Sequence, residues 1–593
     1  MRKHFIVMLF FSALLMWQCD KSPYPRLRMS DQERAVLDSV LTELESQYDP
    51  EENMLVSEFS SPGYHTTLTG GMVHRTRQSL TYAASCLDSG DPDLVQRGID
   101  IIERVIQLQD QDPQSETYGI WPWFLEEPLS QMSPPDWNWA DFCATQLLQT
   151  VIYHQDDYPA ELLEQVNESI YHAARSIERR DVGPGYTNIA IMGTYVTMMT
   201  AELQALPELK EYAMNRLQRF YEYTFDNGAF REYNSPTYTV VALKELGRMR
   251  LHFPDADALR MVQKLYNLAW EEIALHFHVP TYQWAGPHAR SYHTLLPQNT
   301  LAFLQANTSR GVSFQNVGAY YDLEAHRLDC PCPTDLQHYF VELPEPRNEV
   351  RTFDAGEQPL IGTTYLHPGF CLGTINRGDL WNQRRPLLAY WGDSESPSYL
   401  RLRFLHDGYD FAAMQFFSTQ HEGATLFGVV PATDGGDTHI NLDPLENGTF
   451  RARELRLRFE FGGRAADAPL RVPRTMRDNL LLPLPGLDVR ISITYEAAPD
   501  FAPFWEGGKE KGTAYYDVVL YSGEERTFDL NSIDQFIVSG LVATGHRSHM
   551  GGSLDEILQH DLYRLSFQNL RLVVPVRPAP KGELHQTFVE HNR

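Results

Sequence analysis

Two periodicities divide the chain. From about residue 30 to residue 300 apolar side chains recur three and four positions apart, the period of amphipathic helices. Ser30-Asp31-Gln32-Glu33 is a capping box, in which the Ser30 hydroxyl accepts from the third helical amide and Glu33 reaches back. The helix it opens carries Val36, Leu37, Val40, Leu41 and Leu44 on one stripe. Further helices are predicted over 71–88, 93–109, 138–155, 159–179, 187–204, 208–223, 236–252 and 256–278, with Pro and Gly between them. So many helices joined by short turns read as stacked hairpins curving into an (α/α) toroid, an incomplete barrel.

Beyond residue 310 the period becomes two. Phe370–Ile375, Tyr399–Phe404, Leu455–Phe461, Val489–Tyr495 and Leu570–Val574 are examples, several alternating Arg with Leu or Phe. That is the pattern of antiparallel strands buried on one face. The expected fold is therefore α+β and multidomain. A leader occupies 1–19, an (α/α) toroid 30–310, and an antiparallel β-sandwich or β-sheet domain 311–593.

Composition narrows the class. Of the 593 residues 42% are hydrophobic, enough for large cores, so wholesale disorder is excluded. Lys and Arg total 50 against 78 Asp and Glu, a net charge of −28 that disfavours nucleic acid and anionic membrane surfaces. Aromatics reach 12%, which fits either β-rich cores or sugar-stacking clefts. The N-terminus, Arg2-Lys3-His4 followed by apolar Phe5 to Trp17, reads as a secretory signal. Cys19 stands where a bacterial lipoprotein carries its lipidated cysteine, although Leu15-Met16-Trp17-Gln18 lacks the usual small residue before it. The expected location is the periplasm or outer membrane of a Gram-negative bacterium, with membrane contact only through that anchor. A plain signal peptide is the alternative. Cys86, Cys143 and Cys371 lie in apolar contexts and are expected to be buried. Cys330-Pro331-Cys332 reads as a loop at the domain junction, with a disulfide to a distant partner left open.

Candidate chemistry lies in loops and at helix starts. Gly70–Arg77, Tyr118–Trp123, Pro135–Asp141, Gly185–Asn188, Phe230–Tyr238 and Trp284–His293 hold more Tyr, Trp, Asn, His and Arg than helical packing requires. In a toroid alternate loops line one rim, so several can converge on one cleft. Pro236 is expected in the first turn of its helix, behind Asn234 or Ser235 as cap. There is no P-loop, Rossmann fingerprint, H-E-x-x-H or G-x-S-x-G motif. His276 and His278, two apart at a helix end, point to different faces. No metal or cofactor is required by these motifs, although the loop Thr433–Asp437 suits Ca2+, with a surface turn as its alternative.

The helical half, the β half, and the segments Asn234-Ser235-Pro236-Thr237-Tyr238 and Gly286–Tyr292 together resemble polysaccharide lyases of the toroid type, including the heparinase II/III-like and alginate-lyase groups. The resemblance implies β-elimination at C4 of a uronate within an acidic polysaccharide or oligosaccharide. It implies Tyr238 and His288 as the base/acid pair, with Tyr292 in reserve for the acid role. Asn234, Asn188 and Arg290 would hold the carboxylate. Trp139, Trp123 and His74 would line sugar subsites, and Arg75, Asn138 and Glu232 complete the substrate-binding set. A histidine of the β-domain such as His367 would close the cleft. Some lyases of this build remove terminal rhamnose from glucuronate, which would make the action exo. Two rivals stand beside this reading. A glycoside hydrolase would draw its two carboxylates from Asp141, Glu232, Glu126 and Glu127. A non-catalytic glycan-binding lipoprotein would use the aromatics alone. The sequence sets no oligomeric state.

Overall fold

A computed structural model describes residues 27–61, 64–309, 312–437, 445–499, 501–546 and 550–592. The leader and Cys19 lie outside the described residues.

The capping box forms as expected, with Glu33 N–H donating to Ser30 Oγ at 3.2 Å and Ser30 N–H to Glu33 at 2.7 Å. It opens α1 (Asp31–Leu44), followed by α2 (Thr76–Ser89), α3 (Pro92–Ile106), α4 (Trp139–His154), α5 (Ala160–Arg180), α6 (Thr187–Leu203), α7 (Pro207–Asn227), α8 (Tyr238–His252), α9 (Ala256–His276) and α10 (Gln298–Asn307). From α2 to α9 consecutive helices pair as hairpins. Even-numbered helices also pack in succession, α2 on α4, α4 on α6 and α6 on α8, while α3 meets α5 and α7 meets α9. The result is two helical layers. The inner α6 is buried around most of its girth and carries no charge before Glu202. The outer α5 keeps one charged face. At Gly193 of α6 a Cβ would lie 2.7 Å from Asp141 Oδ1 and 2.9 Å from Arg216 Nη2, so only glycine fits between these layers.

The predicted helix at 71–88 begins later, at Thr76. Gly70–His74 instead pairs as a strand with Met54–Ser60, consistent with two adjacent glycines, one at φ +126°, which disfavour helix. Helix α8 likewise starts at Tyr238, two residues beyond Pro236. The Ser235 hydroxyl still caps it, accepting from Tyr238 N–H at 2.9 Å.

Residues 347–575 form antiparallel sheets. One has nine strands and contains Leu360–His367, Phe370–Ile375, Ser398–His406 and Thr449–Gly463. Another has six and contains Arg377–Asp379, Met414–His421, Ala424–Pro431 and Phe536–Gly545. They share an apolar core in which Phe427 meets Phe459 edge-on at 6.0 Å. A third layer, the three-stranded sheet 555–575 with α11 (Lys581–His591), packs through Phe588 on Phe417. The alternating arginines pair with carboxylates on the far face. Arg401 and Arg403 hold Glu460, while Arg456 and Arg458 hold Asp517.

The segment between the halves belongs to the helical core, since Phe314, Cys330, Cys332 and Phe340 pack within it. The described cysteines are buried free thiols, so neither Cys330 nor Cys332 forms the disulfide left open by the sequence. No helix among the described residues is long and apolar enough to cross a membrane.

Candidate active site

Hairpin alternation brings the starts of α2, α4, α6 and α8 to one end of the inner layer. Thr76, Trp139, Thr187 and Tyr238 are their first residues, and the polar aromatic segments of the sequence sit there.

At the centre, Tyr238 and Tyr292 share a hydrogen bond between their hydroxyls at 2.7 Å. Tyr292 is 52% exposed, so this pair connects a half-buried phenol to solvent. The Arg290 guanidinium lies 4.3 Å from the centre of the Tyr238 ring. It is fixed by Glu232, 3.0 Å from Nη1, and by Gln383 Oε1, 3.0 Å from Nε. Its Nη2 is buried without a hydrogen-bond partner. Burial pushes the Tyr238 phenol above its ordinary value, and Arg290 only partly offsets it. Burial likewise raises Glu232, against the pull of Arg290 and of the Asn188 amide. Asn188 stands in the first turn of α6, its carboxamide oxygen buried without a partner.

Beside this centre runs an aromatic wall. Trp123 and Trp139 face each other at 5.1 Å, and His65 lies 5.3 Å from Trp123. The Trp123 and Trp139 indole N–H groups are taken by Asp136 at 3.2 Å and Thr76 at 3.0 Å, and both rings stay partly exposed. Asn138 joins wall to centre, donating to Tyr186 Oη at 3.2 Å and accepting from Arg180 at 2.7 Å. Tyr64 and Tyr186 are electrostatic neighbours of both Asp136 and Arg290.

Several expected site residues have other duties. The structure corrects the Tyr238–His288 pair: the phenol's partner is Tyr292, and His288 is only 1% exposed. The His288 Nδ1–H donates to the Asn234 carbonyl at 2.6 Å, and burial drives its pKa down to about 3, leaving a neutral imidazole under the loop. Asn234 does not face a substrate either. Its amide donates to the carbonyls of Ala285 and Pro287, both at 2.8 Å, and its oxygen accepts from the Trp284 indole. Its φ of +43° suits asparagine. His74 is held between Glu126 and Asp49, with carboxylates raising its pKa against its burial. Arg75 is held by Ser57 and the Glu58 carbonyl over Phe59 and Phe124. His367 stays in its own hairpin, accepting from Gly369 N–H, with its carbonyl facing His278. Of the carboxylates considered for hydrolysis, Glu126 is used by His74, and Glu127 is buried under Thr66 and Thr67. Asp141 is buried between helices, raised to about 7 by burial.

The contribution of the β half was missed. It is the segment Trp381-Asn382-Gln383-Arg384-Arg385. Gln383 binds Arg290, Trp381 lies under it at 5.3 Å, and Arg385 and His288 exchange backbone hydrogen bonds. Its aromatic, amide and arginine content matches the rule that flagged Trp284–His293. Among the described residues no group of three or more His, Cys, Asp or Glu side chains is placed to hold a metal ion. In the Thr433–Asp437 loop, Asp434 accepts from the Lys581 amide and Asp437 pairs with Arg384, which makes it a strut.

With this geometry in place, comparison with known proteins gives distant likenesses. A family model described as a domain of unknown function (DUF8769) matches residues 34–322. No curated protein matches the chain. Among solved structures, the chondroitin AC lyase of Streptomyces coelicolor A3 is 12% identical, with 92% of this chain and 85% of that chain covered and a TM-score of 0.45. A heparinase III is 9% identical, with 93% and 91% covered and a TM-score of 0.36. The endoglucanase CelQ of Clostridium thermocellum is 9% identical, with 86% and 78% covered and a TM-score of 0.26. The chemistry therefore rests on the site's own geometry.

Proposed function

We propose that the protein is an exported polysaccharide lyase that cleaves at C4 of a uronic acid by β-elimination. The helical layers are read as an (α/α) toroid and the two large sheets as a β-sandwich that supplies Trp381 and Gln383 to the toroid's cleft. The observation that carries the reading is the Tyr238–Tyr292 phenol pair against Arg290. Elimination needs the uronate charge countered, the C5 proton removed and the C4 oxygen protonated. The free Nη2 of Arg290 is the group suited to the carboxylate, and the unpartnered Asn188 Oδ1 is suited to accept from a sugar hydroxyl. Tyr238 acts as the phenolate, held by the Arg290 charge, and becomes the phenol on taking the C5 proton. That proton then goes to the leaving C4 oxygen or passes outward through the hydrogen bond to Tyr292, which restores the phenolate. The Trp123–Trp139 wall offers ring faces to the neighbouring sugar. Release of a terminal sugar such as rhamnose from glucuronate is the narrower form of this reading.

The test is a screen of uronate-bearing polysaccharides and oligosaccharides, read by the near-ultraviolet absorbance of the 4,5-unsaturated product. The native protein is expected to generate it, and Tyr238→Phe to lose it. New reducing ends without that absorbance would instead favour a glycoside hydrolase. One observation keeps that second reading in view: Glu232, on Arg290, and Asp136, on Trp123, are two carboxylates that both act on Tyr186.

A further inference from the structure

The loop that carries Glu232 has a second face. Glu232 binds Arg290 on the cleft side, while its neighbours Arg231 and Tyr233 line a separate cavity of about 560 Å3. The β segment does the same: Gln383 reaches Arg290 and Arg384 lines the cavity. Arg377, His585 and Lys581, the last two from α11, complete the basic side of the wall, and Asp354, Glu357, Asp379, Gln358 and Gln415 also line it.

The charges in this cavity are unevenly matched. Arg231 is paired with Asp354, and Arg384 with Asp379 and Asp437. Arg377 has no such partner. Only 8% exposed, it donates to the carbonyls of Pro359 and Gln358 and, at 3.0 Å, to His585 Nδ1. His585 donates onward to Gln415 at 3.1 Å and is kept neutral, driven down to about 3 by burial and by Arg377. Burial pushes the Arg377 guanidinium down to about 10, and Asp354 only partly offsets this. Among the described residues no carboxylate lies within ion-pair distance of Arg377 or of the Lys581 ammonium. Lys581 is the first residue of α11, so the helix starts at the cavity, with its first amide already taken by Asp434. A buried cation held only by neutral groups is costly, and here it faces open volume in a chain of net charge −28.

We propose that this cavity is a binding site for an oxyanion, the carboxylate, sulfate or phosphate group of a small acidic molecule, held between Arg377, Lys581 and the Tyr233 hydroxyl. The site is distinct from the cleft and does not depend on the lyase reading. It shares the 231–233 and 383–384 segments with the cleft, so an occupant would brace the Glu232–Arg290 pair from behind.

Sulfate, phosphate, D-glucuronate and neutral glucose are titrated into the full chain at fixed ionic strength, with Tm and calorimetric heat as readouts. A ligand that binds only the folded state raises Tm saturably. At least one anion is expected to do so and glucose is not. Lys581→Glu, whose side chain makes no described hydrogen bond or ion pair, should weaken the anion at least tenfold. Tyr233→Phe, which keeps the stack on Phe353, should weaken it severalfold. Response to all three anions marks a general oxyanion site, and response to glucuronate alone marks an acidic sugar as the ligand. No saturable response to any of them, or an undiminished response in Lys581→Glu, overturns the proposal.

Discussion

Beneath the cleft's Tyr238, Tyr292, Arg290, Glu232 and Asn188 lies a second layer of the same polar kinds: Asn234, His288, Trp284 and Glu272. The two alternate along the chain, with 232 and 290 facing the cleft and 234 and 288 turned below it. They differ in saturation. In the lower layer Asn234 uses both side-chain amide hydrogens and its oxygen, Glu272 accepts from the Asn234 backbone amide and from Thr239, and His288 Nε2 alone is left over. In the upper layer Arg290 Nη2, Glu232 Oε2 and Asn188 Oδ1 are left over. On the proposed reading, the layer with more unspent hydrogen-bonding capacity meets the ligand and the more saturated one holds the loop.

Paired substitutions would break that contrast most visibly. Tyr238→Phe should reduce turnover by about 10²–10⁴, the usual span for a lost acid–base group. Unfolding free energy should change by less than about 1 kcal/mol, because the hydroxyl's partner Tyr292 is exposed. Asn234→Ala should do the reverse. It strands the Trp284 indole N–H and two buried carbonyls and forces alanine to a left-handed φ, a loss on the order of 3–5 kcal/mol. Turnover per folded molecule should fall far less. Urea denaturation alongside initial rates checks both. If Asn234→Ala proved stable but inactive, the division into layers would be wrong.

The lower layer should also show itself through pH. Burial raises Glu272 to about 7, against the Arg351 charge and the Asn234 amide. In the unfolded chain the same carboxyl ionises near its ordinary value of 4.5. Its protonated form therefore contributes stability fully below about pH 4.5, and that contribution is lost as pH rises through about 7. Glu272→Gln removes the titration. Native stability measured against that variant should decline between those limits by up to about 1.4 kcal/mol per pH unit. Parallel stability curves from pH 4.5 to 8 would rule the shift out.

The sequence disclosed much of this frame and little of the layering. Helix positions followed from apolar spacing because α3, α5 and α9 each bury one stripe. The starts of α2, α4, α6 and α8, where several of the clustered segments lie, do come together at one end of the inner layer. What could not be read was which way each side chain turns, because Asn234 and Asn188 both sit near helix starts among aromatics. Their difference arises from the Ala285 and Pro287 carbonyls, some fifty residues away. Trp381 and Gln383 escaped notice because they lie among strands, where an aromatic–arginine run looks like ordinary alternation. His74 and Arg75 looked like cleft residues by composition. The strand Gly70–His74, read as helix, ties them to the Met54–Ser60 hairpin instead.

The smallest expected effect concerns the aromatic wall. Trp123 is partly exposed, stacked near Trp139, with its N–H fixed by Asp136. If its face carries a sugar away from the reacting bond, the contact is the same in ground and transition states. Its loss then raises KM without changing kcat. Trp123→Ala should raise KM about five- to twentyfold, from roughly 1–2 kcal/mol of ring contact. The kcat should stay within about a factor of two, and Trp123→Phe should recover most of the affinity. A proportional fall in kcat at unchanged KM would instead place Trp123 in the reacting layer with Tyr238, and the wall would no longer be a separate binding surface.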